Sequence, residues 1–189
     1  MNEKLRESLG KIYSSFVTGS LEELSREISF EKLENTQEGE NYLKLVMNES
    51  LRIEPPIPLS TSFCMTEDVE IVGIQVKKGE MMMINIQQLH HNEDQWGEDH
   101  DQYIPERFLK RDPHRSPFSF LPFLGGKRVC IGKTFAETAF MVVMPLVLKA
   151  FKGYSFVEKE NYLDKPPNNI MQTERPRVMV RLEPSPELL

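Results

Sequence analysis

Residues 123–132 read Phe-Leu-Gly-Gly-Lys-Arg-Val-Cys-Ile-Gly and run directly into an apolar stretch at helical spacing beyond Thr134. Gly125, Gly126 and Gly132 let the backbone turn sharply and approach a flat ligand closely. Cys130 lies just before a helix predicted from about Gly132 to Ala150. Its sulfur is therefore expected near free backbone N–H groups and the positive end of a helix dipole, both of which favour thiolate over thiol. Arg128 adds a fixed positive charge and a planar fork suited to a carboxylate. Phe123 supplies an apolar wall that keeps water off the sulfur and tunes the potential of a bound metal. The stretch reads as a metal-thiolate loop. The alternative, from these residues alone, is a buried and inert cysteine at a helix start.

Bulk properties limit what that cysteine can do. The chain has 189 residues, enough for one domain or for part of a larger one. Its net charge of −6 and pI of about 5.4 provide no basic field, so nucleic acid is not an expected partner. Cys64 and Cys130 are the only cysteines, far apart and without a CxxC pair, so no zinc or iron–sulfur site can be built from cysteine alone. Few cysteines in a chain of this size suit a reducing compartment, although two could in principle pair. The first residues carry no apolar signal core, and no apolar run is long enough to span a bilayer, so no membrane segment is expected.

Upstream of the loop the pattern is helical, then β. Leu5, Leu9, Ile12, Tyr13 and Phe16 share a helical face, Gly19-Ser20 stops and restarts the chain, and Leu21, Leu24 and Ile28 continue it, placing helices over 1–28. Glu31 to Glu40 reads as a polar loop. A helix over 41–53 follows, with Tyr42, Leu43, Val46, Met47, Leu51 and Ile53 on its apolar side. Glu49 and Arg52 pair on it at i,i+3; alone, such a pair is a solvated one worth roughly 0.2–0.5 kcal/mol. Glu54-Pro55-Pro56-Ile57-Pro58 ends the helix. Short strands are predicted within 69–85, at Val69–Val72, Ile74–Val76 and Met81–Ile84, with the methionine run facing a core.

His90-His91 invites a metal reading, but adjacent side chains diverge in either regular structure and are not expected to converge on one ion. Asp94 to Asp99 is an acidic, turn-rich segment around Trp96, expected to pack down. The stretch from Lys110 to Ser119, with Arg111, His114 and Arg115, reads as a solvated loop. Pro145 falls inside the predicted 132–150 helix, where proline costs about 3 kcal/mol and kinks the helix. Strands and loops are predicted over 151–189.

Phe123-x-x-Gly126-x-Arg128-x-Cys130-x-Gly132 resembles the haem-binding signature of the cytochrome P-450 family, the haem-thiolate monooxygenases. Glu49-Ser50-Leu51-Arg52 resembles the family's Glu-x-x-Arg helix, and Pro105-Glu106-Arg107-Phe108 its Pro-Glu-Arg-Phe segment, in the family's order. The resemblance implies a mainly α fold with small β-sheets (α+β), in which residues 1–189 form the C-terminal haem-binding part of a single domain. It implies haem b with Cys130 as axial ligand, Phe123, Gly126, Arg128 and Gly132 around the cofactor, and Arg128 reaching a propionate. Glu49, Arg52 and Arg107 are then structural, locking the core behind the haem. Leu59, Ser60, Thr61, Ser62 and Phe63 correspond to a stretch lining the substrate pocket, as does the turn near Asn168 to Thr173.

The implied reaction inserts one oxygen atom from O2 into an apolar organic substrate. Electrons come from a reductase or ferredoxin, and no catalytic side chain is identifiable beyond the axial ligand. The open face opposite a single thiolate is what lets haem bind O2. Three departures accompany the match. The family's long distal helix, with its oxygen-activating motif, has no counterpart before Glu49. The Arg or His that often meets the second propionate is absent near Ser62 and Phe63. Leu124 stands where many members have glycine. Two readings follow: an incomplete member of the enzyme family, or a non-catalytic haem-binding or interaction fragment. Location stays open between the endoplasmic reticulum membrane surface, for eukaryotic members with an N-terminal anchor, and the cytoplasm.

Overall fold

A computed structural model of the chain describes residues 2–29, 32, 41–110, 112–156 and 180–186. Helix α1, Asn2–Ile12, ends one residue before Tyr13, and α2, Ser14–Val17, begins after it. The helical spacing from Leu5 to Phe16 is thus divided between two helices. The break is stabilised from α3, Leu21–Glu27: the Glu27 carboxylate accepts from Ser14 N at 3.1 Å and Ser15 N at 2.8 Å, satisfying amides that an unbroken helix would have bonded internally. Ser20 caps α3 through a reciprocal box with Glu23.

These segments build the main core. Leu5, Leu9, Tyr13, Phe16 and Leu24 pack with Leu43 and Val46 of α4, Tyr42–Ile53, and with Met141 of a long helix that begins at residue 133. Burying each large aliphatic chain is worth about 1.5–3 kcal/mol. The N-terminal helices thus find their partners within the chain. That long helix, numbered α7 and spanning Lys133–Ala150, remains helical through Pro145, which is fully buried. The C-terminal end of α7 is tied to α2 by Lys149 Nζ, which donates to Phe16 O at 3.2 Å.

Small antiparallel ribbons flank the helices. Strand β1, Phe63–Cys64, pairs with β4, Met81–Met82, and β2, Val69–Ile71, with β3, Ile74–Val76. The β2–β3 turn places Val72 at φ 49° and Gly73 at φ 79°, the left-handed pair that two-residue hairpins favour. The methionine run does not face a core: Met81 and Met83 are exposed, because among the described residues no second layer covers this face of the ribbon. Two short helices, α5 (Ile86–His90) and α6 (Glu93–Trp96), follow β4, and Trp96 is buried as the sequence suggested. Strand β5, Phe151–Phe156, pairs with β6, Val180–Pro184. The turn near Asn168 to Thr173, the loop from Glu31 to Glu40 except Lys32, and Arg111 lie outside the described residues. No helix among the described residues is long and apolar enough to cross a membrane.

Candidate functional site

Helix α4 carries the first part of the site. Glu49 and Arg52 are both completely buried, so the solvated reading of this pair does not hold. Arg52 donates Nε to Glu49 Oε2 at 2.8 Å and Nη2 to Oε1 at 2.9 Å. Its remaining N–H groups reach the carbonyls of His90, His100 and Gln102 at 2.9, 2.6 and 3.0 Å. Glu49 Oε1 also accepts from Arg107 Nε at 3.0 Å and from Ile104 N at 2.8 Å. Arg107 sits in the 3-10 turn Pro105–Phe108 and continues to Asp99 Oδ1 at 3.3 Å and Asp99 O at 3.0 Å. Every polar atom of the Glu49 carboxylate is therefore used, the condition under which buried charge is tolerated.

Two guanidiniums lie over the Trp96 ring, Arg52 at 4.9 Å and Arg115 at 4.2 Å from its centroid. Arg115 is thus packed down on an aromatic face, where the sequence suggested a solvated loop. Trp96, Phe108 and Phe120 pack edge to face or tilted, and Phe120 lies 5.2 Å from the His90 ring.

That aromatic cluster leads into the loop. Leu124 N donates to Leu121 O at 3.1 Å, a 3-10 turn covers Gly126–Arg128, and Cys130 N donates to Phe123 O at 2.8 Å, closing the loop across its base. Cys130 is exposed and free, not the inert buried cysteine of the alternative reading. It lies two residues before Gly132, the residue that caps α7, and Lys133 N donates to Cys130 O at 3.2 Å. Gly126 is at φ +61°, and a Cβ there would meet nothing within 4 Å. Leu124 is also left-handed, at φ 59°.

An open concavity of about 330 Å³ lies beside the loop, lined by Phe63, Ile84, Phe118, Leu121 and residues 124–128, with Lys127 and Arg128 as its cations. Of the stretch Leu59 to Phe63, only Phe63 lines it. Ser60 is buried and its hydroxyl is committed, accepting from Ile84 N at 2.8 Å and donating to Thr61 O at 3.0 Å. Leu59 bridges to Asn85, and Thr61 and Ser62 point to solvent. Ile84 and Phe118 carry no local signal in the sequence, since distance along the chain hides their convergence on the loop, while Leu121 and Lys127 beside and within the loop have no distinctive spacing of their own.

His90 and His91 do diverge. His91 Nε2 lies 3.0 Å from Ile53 O, while His90 Nε2 accepts from Leu121 N at 2.9 Å. Burial pushes the His90 pKa down to about 4; the Leu51 and Arg52 backbone opposes this, and the Arg52 and His91 side chains add to it. Among the described residues no group of three His, Cys, Asp or Glu could hold a metal ion.

Comparison with known proteins matches residues 23–180 to the family described as cytochrome P-450. The chain belongs to the cytochrome P-450 family. It is 32% identical over 164 residues to a cytokinin hydroxylase of Arabidopsis thaliana, covering 87% of this chain and 28% of that protein. It is 31% identical over 159 residues to cytochrome P-450 52A10 of Candida maltosa, covering 79% of this chain and 29% of that protein. The chain thus spans under a third of the length of these relatives. Its fold matches retinoic acid-bound cyanobacterial CYP120A1 with a TM-score of 0.73 and 26% identity, over 97% of this chain and 38% of that one. Haem is the cofactor that membership in this family implies.

The residues present fit such a group. An exposed Cys130 thiol, without a cluster of other donors among the described residues, suits a metal that arrives with its own macrocyclic ligands better than a bare ion. Gly126 leaves open space where a side chain would otherwise stand. Arg128 offers the fork a propionate accepts.

Proposed function

We propose that Cys130 would hold the iron of haem b as its thiolate ligand and that this chain forms the cysteine-bearing part of a monooxygenase acting on an apolar organic substrate. The observation that carries this reading is the exposed Cys130 held in a closed loop beside an apolar concavity with two cations. When bound, haem supplies O2 activation and transfer of one oxygen atom, with electrons from a reductase or ferredoxin. The chain's own residues do the rest. Arg128 would hold a propionate, Lys127 would add positive charge on the same concavity, and Phe123 would stand as an apolar wall beside the cofactor. Gly126 and Gly132 keep the loop open toward the porphyrin. Phe63, Ile84 and Phe118 present apolar surface to the substrate side. Glu49, Arg52 and Arg107 keep this frame rigid without touching the reacting atoms.

A second reading, a haem-binding or interaction module that does not oxygenate, is favoured by one observation. Phe118, Ile131 and Phe135 are among the most exposed large apolar side chains, at 71, 103 and 79%. Large apolar side chains left this exposed are ones that a partner or cofactor would cover.

Haem titration of the purified chain, followed by the carbon monoxide difference spectrum of the reduced form, tests the ligand. A thiolate-type Soret band that Cys130→Ala abolishes is expected. Absence of that band, together with unchanged haem uptake by Cys130→Ala, would remove the assignment.

A further inference from the structure

His90 is not among the residues lining the concavity, and nothing in the proposed chemistry uses it. Its side chain is nevertheless completely buried. Its Nε2 lies 2.9 Å from Leu121 N. A backbone amide can only donate, so Nε2 is the unprotonated nitrogen and the ring is the Nδ1–H tautomer. Nδ1 makes no hydrogen bond of good geometry, although the Leu51 and Arg52 backbone lies near enough to favour a proton on the ring, so the bond to Leu121 is the ring's one well-formed hydrogen bond. The carbonyl of the same residue accepts from Arg52 Nη1 at 2.9 Å.

One residue thus joins two parts of the molecule. Its backbone is held by the Arg52 that is locked to Glu49, and its side chain holds the start of the cysteine loop. The connection continues through Leu121 O to Leu124 N at 3.1 Å, and across the loop from Phe123 O to Cys130 N at 2.8 Å. Phe120 covers one face of the ring and is itself braced by Trp96 and Phe108.

We propose that His90 is a positioning residue for the Cys130 loop, its neutral imidazole accepting the Leu121 N–H and so registering the loop on the Glu49–Arg52–Arg107 frame. The functional consequence rests on the reading of Cys130 as haem ligand; the hydrogen bond does not. Charge on the ring would convert its acceptor into a donor facing another donor. Burial, Arg52 and His91 all oppose that charge.

Nitrogen-15 chemical shifts and amide hydrogen exchange on the full chain, without haem, test the bond directly. The proton is expected on Nδ1, with Nε2 accepting. His90→Leu is expected to speed Leu121 amide exchange by about tenfold, the loss of one buried hydrogen bond, while α4 amides stay within about twofold. His90→Gln, which restores an acceptor, should recover most of that protection. A proton found on Nε2, unchanged Leu121 exchange in His90→Leu, or equal loosening of α4 each overturns the proposal. Should His90→Leu fail to fold, the tautomer of the unsubstituted chain decides alone. With haem added, His90→Leu should displace the thiolate-type Soret band and His90→Gln restore it. If the unsubstituted chain shows no such band and Cys130→Ala takes up haem unchanged, the Cys130 reading falls while the exchange result still stands.

Discussion

Arg52 grips Glu49 through two parallel hydrogen bonds, Nε to Oε2 at 2.8 Å and Nη2 to Oε1 at 2.9 Å, with neither side chain exposed. Glu49 Oε1 also holds Arg107 Nε and Ile104 N. Glu49→Ala leaves two buried guanidiniums without their shared counter-charge, and breaking such a pair costs about 3–5 kcal/mol. Urea unfolding of the full chain should show that loss. A loss below about 1 kcal/mol would mean that the cluster is solvated after all.

Two groups separate the acid response into windows. In the unfolded chain a histidine takes up its proton near 6.5, whereas His90 in the fold does so near 4. Between those values the unfolded chain binds more protons. Stability therefore falls as pH drops from about 6.5 to about 4, by on the order of 3 kcal/mol, and this contribution is level below that. Glu27 acts lower. Burial raises its pKa, but hydrogen bonds from Lys32, Ser15 and Ser14 outweigh that and hold it at about 2, against 4.5 unfolded. Its contribution is present above 4.5 and lost as pH falls toward 2. Denaturation midpoints measured across pH should lose the upper slope in His90→Gln and keep it in Glu27→Gln.

The motif residues were legible because each has a distinctive chemistry at fixed spacing: Cys130, Arg128, Gly126, Glu49 and Arg52 stand within single short stretches. What sequence did not show is convergence from a distance. Phe118 and Ile84 meet the loop at the concavity, and nothing local marks them. The role of His90 leaves no trace in the sequence beyond its pairing with His91, because an imidazole accepting a backbone amide some thirty residues away has no periodic signal. The burial of Glu49 and Arg52 was hidden for the same reason, since an i,i+3 ion pair reads alike on a wet or a dry face. Tyr13 kept helical spacing while the helix broke, because the capping carboxylate comes from Glu27 on another helix. The methionine run misled in the opposite direction, being apolar yet exposed.

Leu124 holds a backbone conformation that glycine adopts without strain. At φ 59° its Cβ crowds the backbone, a conformation costing roughly 1–2 kcal/mol for a residue other than glycine. Leu124→Gly relieves that strain and gives up a partly exposed apolar contact and some unfolded-state restriction, so stability should stay within about 1 kcal/mol or rise. Leu124→Val puts a β-branch where the backbone tolerates it least and should lower stability by at least about 1 kcal/mol. Thermal unfolding of the three chains orders them. Equal stability of the valine and glycine variants would show the left-handed conformation to be wrong.

Gly126 offers the sharpest separation of fold from cofactor. Its φ of +61° excludes most side chains, yet a Cβ at this position would touch no protein atom within 4 Å. Asparagine accepts left-handed backbone more readily than other non-glycine residues. Gly126→Asn should therefore cost the chain no more than about 1 kcal/mol while filling the space proposed for the porphyrin. Gly73, also left-handed and open at φ +79°, lies in the β2–β3 turn away from the loop and serves as the control. Haem affinity followed by Soret titration should fall by about tenfold or more in Gly126→Asn, the equivalent of 1.4 kcal/mol, and stay unchanged in Gly73→Asn. If both variants bind haem as the unsubstituted chain does, the open space at Gly126 belongs to the backbone turn and the cofactor sits elsewhere.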